Sequence, residues 1–206
     1  MRIITISREF GSGGRELGKR LADTMNFDYY DREIIFAVAK NNGLDAQYVE
    51  NKLSEHGWRD FPLTFQGRFV SANYMQSDSV NLLLRQKEVI EKIALLGKDF
   101  VIVGRNADVI LKEYNPFNIF VCANKSAKIK RCMERASEGE HLTEKELLRK
   151  MKQIDKMRSQ TSEILSGASW GQCKTYHLTV NTSDWEIKDL VPAVADFALC
   201  WFRRTQ

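Results

Sequence analysis

A glycine-rich stretch, Gly11-Ser12-Gly13-Gly14-Arg15, follows the apolar run Ile3-Ile4-Thr5-Ile6 almost directly. It leads into a helical pattern with Leu17, Leu21, Ala22 and Met25 on one face. The order strand, glycines, helix narrows what the chain can build. Glycines let the backbone curl so that successive N–H groups point inward, at the positive end of the helix dipole, where a phosphate is stabilised. A glycine-rich turn with no ligand has the same outline, but it has no need of a basic residue at the helix start, which Arg15 supplies.

Set against the phosphate-loop pattern G-x-x-x-x-G-K-[ST], the window Glu9 to Glu16 keeps only the last glycine, as Gly14. Glu9 stands for the first glycine, Arg15 for the lysine and Glu16 for the metal-binding hydroxyl. Arg15 can still neutralise phosphates through its planar fork. Glu16 supplies no hydroxyl. It can reach a metal directly or through water, and Ser12 can assist at a phosphate.

Three continuous apolar runs read as buried strands: Ile3 to Ile6, Phe100 to Val103 and Asn118 to Cys122. A fourth, Tyr176 to Asn181, alternates more. Helices are expected near 14–25, 31–42, 45–54, 78–96, 106–113, 125–137, 143–164 and 186–202. In the last, Ile187, Leu190, Val191, Val194, Phe197, Ala198 and Trp201 share a face that should pack on the sheet. The sum is an α/β three-layer sandwich with ligands at the carboxyl ends of its strands. Residues 55–77 lack clear periodicity, and loops of such length are usually functional. The cluster Trp58, Phe61, Phe65 and Phe69 with Arg59 and Arg68 fits either helix packing or an insert that stacks on a base.

Apolar and charged fractions of 43% and 28% are those of a soluble globule. No apolar run approaches the roughly 20 residues that span a bilayer. Met1 to Ser7 is too short and strand-like for a secretory leader, so a cytosolic location is expected. The cysteines, at 122, 132, 173 and 200, form no zinc-ligand spacing. Cys122 and Cys200 read as buried thiols. Residues 125–160 carry eleven Lys/Arg against six acids, within a net charge of +4 for the whole chain. Such an excess suits a solvated helix face, a nucleic-acid patch or a clamp over phosphates.

The run Ile6-Ser7-Arg8-Glu9-Phe10-Gly11-Ser12-Gly13-Gly14-Arg15-Glu16-Leu17-Gly18 resembles the signature of cytidylate-kinase-like proteins, whose phosphate loop is similarly modified. Later segments agree in order. Phe27-Asp28-Tyr29-Tyr30-Asp31-Arg32 resembles the second strand and its acidic turn. Val103-Gly104-Arg105-Asn106-Ala107-Asp108 resembles the Gly-Arg-Asp element. Asp155-Lys156-Met157-Arg158, Ser169-Trp170-Gly171 and Tyr176 to Ser183 match the lid and final strand. The stretch 45–97 matches least.

The resemblance implies a P-loop nucleoside-triphosphate-hydrolase type of fold over residues 1–206, with an acceptor-binding insert at about 31–97 and a helical lid at about 138–172. It implies ATP and Mg2+, with Gly11, Ser12, Gly13, Gly14, Arg15 and Glu16 at the nucleotide phosphates. Arg158 and Arg131 join Arg15 at the transferring group. Asp31, Arg105 and Asn106 face the acceptor, and Asp155 faces the acceptor or positions Arg158. Glu16 is the candidate metal ligand. Asn106 stands where the family has aspartate, which puts base selectivity in doubt. Asp31 also suits a helix N-cap. The activity implied is phosphoryl transfer to a nucleoside monophosphate, CMP or dCMP first. A kinase of another small acceptor, a nucleotide-binding regulator without turnover and a nucleic-acid binder are the competing readings. The acids interleaved in 125–160 and the lack of a recognition motif count against the last.

Overall fold

The structure is a computed structural model that describes residues 1–31, 78–136 and 143–205. Its centre is a sheet of five strands: β1 (Ile3–Arg8), β2 (Asp28–Tyr30), β3 (Phe100–Val103), β4 (Phe117–Cys122) and β5 (Leu178–Asn181). They lie in the order β2-β3-β1-β4-β5, and every pairing is parallel. Ile3 to Ile6 of β1 pair with Phe100 to Val103. On the other side Ile4 to Arg8 pair with Phe117 to Val121. Consecutive residues of β1 and β3 are buried. Burial of both faces demands helices on both sides, which explains continuous apolar runs in place of alternation.

The helices are α1 (Gly14–Met25), α2 (Asp78–Leu95), α3 (Ala107–Ile110), α4 (Lys125–Glu134), α5 (Glu144–Ser166) and α6 (Ile187–Thr205). Short 3-10 turns add Lys112–Tyr114 and Cys173–Thr175. The boundary of α5 is set by a capping box. Thr143 Oγ1 accepts from the Glu146 N–H at 3.3 Å, and Glu146 accepts in return from the Thr143 N–H at 2.9 Å.

One core joins β1, β3 and β4 to Leu17, Leu21 and Ala22 of α1, Ile90 and Ile93 of α2, and Ile187, Val191, Val194 and Ala198 of α6. A smaller cluster, Phe10, Cys132, Leu147 and Met151, ties the glycine loop to α4 and α5.

Two expectations are corrected. The buried face of α6 runs through Ala195 and Phe202, while Phe197 is 46% exposed. The helix meets both α1 and β4, so its apolar stripe turns toward α1. Cys200 is therefore exposed and Cys122 only half-buried. The expected helices at 31–42 and 45–54, and the aromatic cluster at 58–69, lie outside the described residues apart from Asp31.

Candidate active site at the carboxyl edge

The loop between β1 and α1 is fastened from every side. Gly13, the residue before α1, has φ +81, and a Cβ there would overlap Ile187 Cδ1. Only glycine combines that backbone with that approach. The loop's carbonyls are turned outward and satisfied. Arg131 Nη1 donates to the Gly11 carbonyl at 2.9 Å, and its Nη2 donates to the Thr182 carbonyl at 3.1 Å. Buried Thr182 donates through Oγ1 to the Ser12 carbonyl at 2.6 Å. With carbonyls held outward, the N–H groups at the start of α1 are left to face the loop's mouth.

Glu9, which stands for the first glycine of the loop pattern, has a different task. Its Oε2 accepts from Lys128 Nζ at 3.0 Å and from the Ala123 N–H at 3.3 Å. The residue binds the loop to the end of β4 and to α4.

Helix α5 docks on the same loop. Asp155 Oδ1 accepts from the Phe10 N–H at 2.7 Å and from Arg158 Nη1 at 3.1 Å. Arg158 Nη1 also donates to the Arg8 carbonyl at 3.0 Å. Burial pushes the Asp155 carboxyl above its usual range, against the opposing pull of Arg158 and the Phe10 N–H. The spacing of three along α5 lets this one pair touch residues 8 and 10 together.

Arg15 pairs with buried Asp31, its Nε and Nη2 both donating to Oδ2, at 2.9 and 2.6 Å. Asp31 lies just past β2 and thus next to the loop. Glu16 is held by two guanidinia, Arg20 Nε at 2.8 Å and Arg135 Nη2. A metal would have to compete with both for that carboxylate. Among the described residues, no group of three His, Cys, Asp or Glu side chains stands together as a metal site.

Beyond β3 the backbone makes an unusual turn. Gly104, Arg105 and Asn106 have φ values of +80, +61 and +53. Consecutive left-handed residues that are not glycine are costly, and such strain collects at ligand-binding positions. The Asn106 carbonyl accepts from the N–H groups of Val109 and Ile110, both at 3.0 Å, which begins α3. Arg105 donates to Gln86 Oε1 of α2 at 3.2 Å.

The expected site residues Gly11 to Glu16, Asp31, Arg105, Asn106, Asp155 and Arg158 thus gather at one edge of the sheet. Arg131 is there too, spending its guanidinium on loop carbonyls. One further cation is present that the sequence reading did not single out. Arg8 closes β1 on the same face as Ile4 and Ile6, beneath Gly14. Burial and the nearby Arg158 and Arg105 hold its guanidinium well below the ordinary arginine range. The signal for it was a charge in phase with two core isoleucines.

The profile of the cytidylate kinase-like family matches residues 3–184, nearly the whole chain. The chain belongs to the cytidylate kinase-like family. An uncharacterized protein from Eubacterium ventriosum is similar in structure, with 28% identity, 96% of this chain and 98% of that one covered, and a TM-score of 0.69. Shikimate kinases from Acinetobacter baumannii and Bacteroides thetaiotaomicron are each 12% identical. Their TM-scores are 0.51 and 0.53, covering 97% and 95% of this chain and 94% and 97% of theirs. They share the P-loop kinase fold, in keeping with the strand order. No curated protein matches the chain significantly in sequence. The family is kinase-like, which makes phosphoryl transfer the general class of chemistry. Among the described residues no helix is long and apolar enough to cross a membrane.

Proposed function

We propose that this chain transfers the γ-phosphate of ATP to the phosphate of a nucleoside monophosphate, CMP or dCMP first. The observation that carries the reading is the convergence on one edge of a tethered glycine loop, Arg15, Arg105 and Arg158. Phosphoryl transfer asks a protein for alignment and charge neutralisation more than for covalent chemistry. The N–H groups of the loop from Gly11 to Gly14 receive the β- and γ-phosphates with Arg15 beside them, while buried Ser12 holds the loop's curve by donating its hydroxyl to the Glu9 carbonyl at 2.8 Å. Glu16 is the loop carboxylate that would hold Mg2+, which would supply further neutralisation of phosphate charge. Arg158 brings its charge from α5, part of the lid at about 138–172, and Asp155 fixes its place. Arg131 acts on the transfer by holding the loop and the end of β5 together. Asp31, Arg105 and Asn106 face the acceptor, Asp31 at the start of an insert taken to span about 31–97 and the other two on the turn after β3.

Closure of α5 over the loop excludes water and so protects ATP from hydrolysis. The bonds of Asp155 to the Phe10 N–H and of Arg158 to the Arg8 carbonyl support that role. A second reading, a kinase of another small acceptor, keeps every role except base recognition. Asn106 favours it, since an amide adds no charge where the family has a carboxylate.

The test is ADP release from Mg-ATP across a panel of monophosphates, with no-acceptor controls, for the parent, Arg15→Ala and Arg158→Ala. Turnover with CMP or dCMP that disappears in both variants supports the proposal. Silence with every monophosphate while ATP still binds sinks it in favour of another acceptor or a switch without turnover.

A further inference from the structure

Strand β1 places Ile4, Ile6 and Arg8 on one face, and Ile4 and Ile6 are fully buried there. The next position of that face holds a cation where a hydrophobe would continue the core. From Cβ, which would lie 2.7 Å from a Cβ added at Gly14, the side chain runs sideways to β3. There its Nη1 fills the space that a side chain on residue 104 would take. Residue 104 is glycine with φ +80, so the backbone of β3 has given way for the guanidinium. The Gly104 N–H is fixed on the Ile6 carbonyl at 2.9 Å, which keeps this approach in register.

Among the described residues the Arg8 guanidinium has neither a hydrogen-bond acceptor nor an ion-pair partner. Asp31 and Tyr29 oppose its destabilisation only through space, while burial, Arg158 and Arg105 disfavour its charge more strongly. Arginine does not shed its proton in proteins, so the charge stays and remains unfavourable. By contrast Arg15, Arg131 and Arg135 each hold an acid or a carbonyl. A desolvated cation flanked by two others, with five donors and no acceptor, is one anion short.

We propose that Arg8 is a phosphate-binding residue, reaching from beneath the glycine loop to hold, with Arg105 and Arg158, a phosphoryl group at the junction of the loop and the Gly104–Asn106 turn. This deepens the phosphotransfer reading and rests on it for the chemistry. It adds a second cation, at the end of β1, to the one at the helix start, where Arg15 is also engaged by Asp31. A planar fork there can grip two oxygens of one phosphoryl group.

The experiment titrates the protein with inorganic pyrophosphate at fixed ionic strength, by calorimetry and by thermal unfolding. The chains compared are the parent, Arg8→Met, Arg8→Lys and, as a charge control on the exposed turn Lys112–Tyr114, Lys112→Gln. Arg8→Met should weaken pyrophosphate binding at least tenfold, and Arg8→Lys should recover part of that loss. Without pyrophosphate, Arg8→Met should melt higher than the parent, by about 2 °C or more, because a half-buried charge without a mate has been removed. No binding by the parent, an unchanged affinity in Arg8→Met, or an equal loss in Lys112→Gln would overturn the proposal. So would a lower anion-free melting temperature in Arg8→Met, since that assigns Arg8 to holding the fold. If pyrophosphate behaves as expected while no monophosphate is phosphorylated, the transfer reading fails and the anion site stands.

Discussion

Two neighbouring parts of the carboxyl edge are built on opposite principles. The loop from Glu9 to Gly14 is held by polar contacts that are already complete: Glu9 on Lys128, the Gly11 carbonyl on Arg131, the Ser12 carbonyl on Thr182, and the Phe10 N–H on Asp155. A few ångströms away, the Gly104–Asn106 turn combines left-handed backbone with Arg8, Arg105 and Arg158, cations that act on one another. The first part is rigid because its own groups satisfy it. The second combines backbone strain with cations that disfavour one another, and in our proposal an anion from outside offsets that repulsion. Preorganisation of dipoles and destabilisation of charges before binding are two different uses of folding free energy.

The contrast can be broken on either side. The largest effect is expected on the turn. Gly104→Ala puts a methyl group where Arg8 Nη1 lies and forces a positive φ on alanine. Steady-state kinetics should show kcat/KM for the phosphorylated acceptor falling by about 10²-fold, the usual cost of displacing a positioning group by about 1 Å. On the loop, Gly13→Ala meets Ile187 and an unfavourable φ together. Denaturant unfolding should show a loss of about 1–3 kcal/mol. A milder loosening is Thr182→Val, which keeps the volume and strips the donor from the Ser12 carbonyl. It should cost about 1–2 kcal/mol in the same measurement.

The smallest effect lies away from both parts and serves as their reference. His177 Nδ1 accepts from the Asn118 N–H at 2.9 Å, and its ring stacks on Phe117. Burial lowers its pKa below the ordinary histidine value. The unfolded chain therefore binds the proton more readily. His177 contributes stability that is present above about pH 6.5 and is lost as pH falls from there toward the folded pKa. Melting temperatures from pH 8 to pH 5 should decline over that window in the parent, and decline less in His177→Asn.

Much of this was legible in sequence, for reasons that differ by element. β1, β3 and β4 announced themselves as unbroken apolar runs because helices cover both faces of the sheet. α5 was legible from the helical period over 143–164, whereas the capping box of Thr143 and Glu146 that sets its start is a finding of the structure. β2 is only three residues long, too short for any period, and it came from the resemblance alone. Within the site, Gly11 to Arg15 were visible because glycines before a helix are a local pattern. The bond from Asp155 to Phe10 crosses 145 positions, and no local pattern contains it. Arg8 was hidden in plain view, since a charge at a strand end normally means exit to solvent. Asn106 is of a type that favours a positive φ, but Arg105 is not, so two left-handed residues in succession were hidden. The alternation on α6 placed Phe197 inside because an ideal helical stripe cannot show that α1 pulls the contact toward Ala195 and Phe202.

The central claim is that the two parts of this edge meet across a phosphoryl group in flight. The direct test follows γ-labelled ATP with CMP and dCMP in the parent and in Arg158→Ala, separating ATP, diphosphate product and orthophosphate. The account predicts label in the diphosphate product for the parent, and its loss in Arg158→Ala. Label that stays in ATP, or leaves only as orthophosphate with either acceptor, would contradict it.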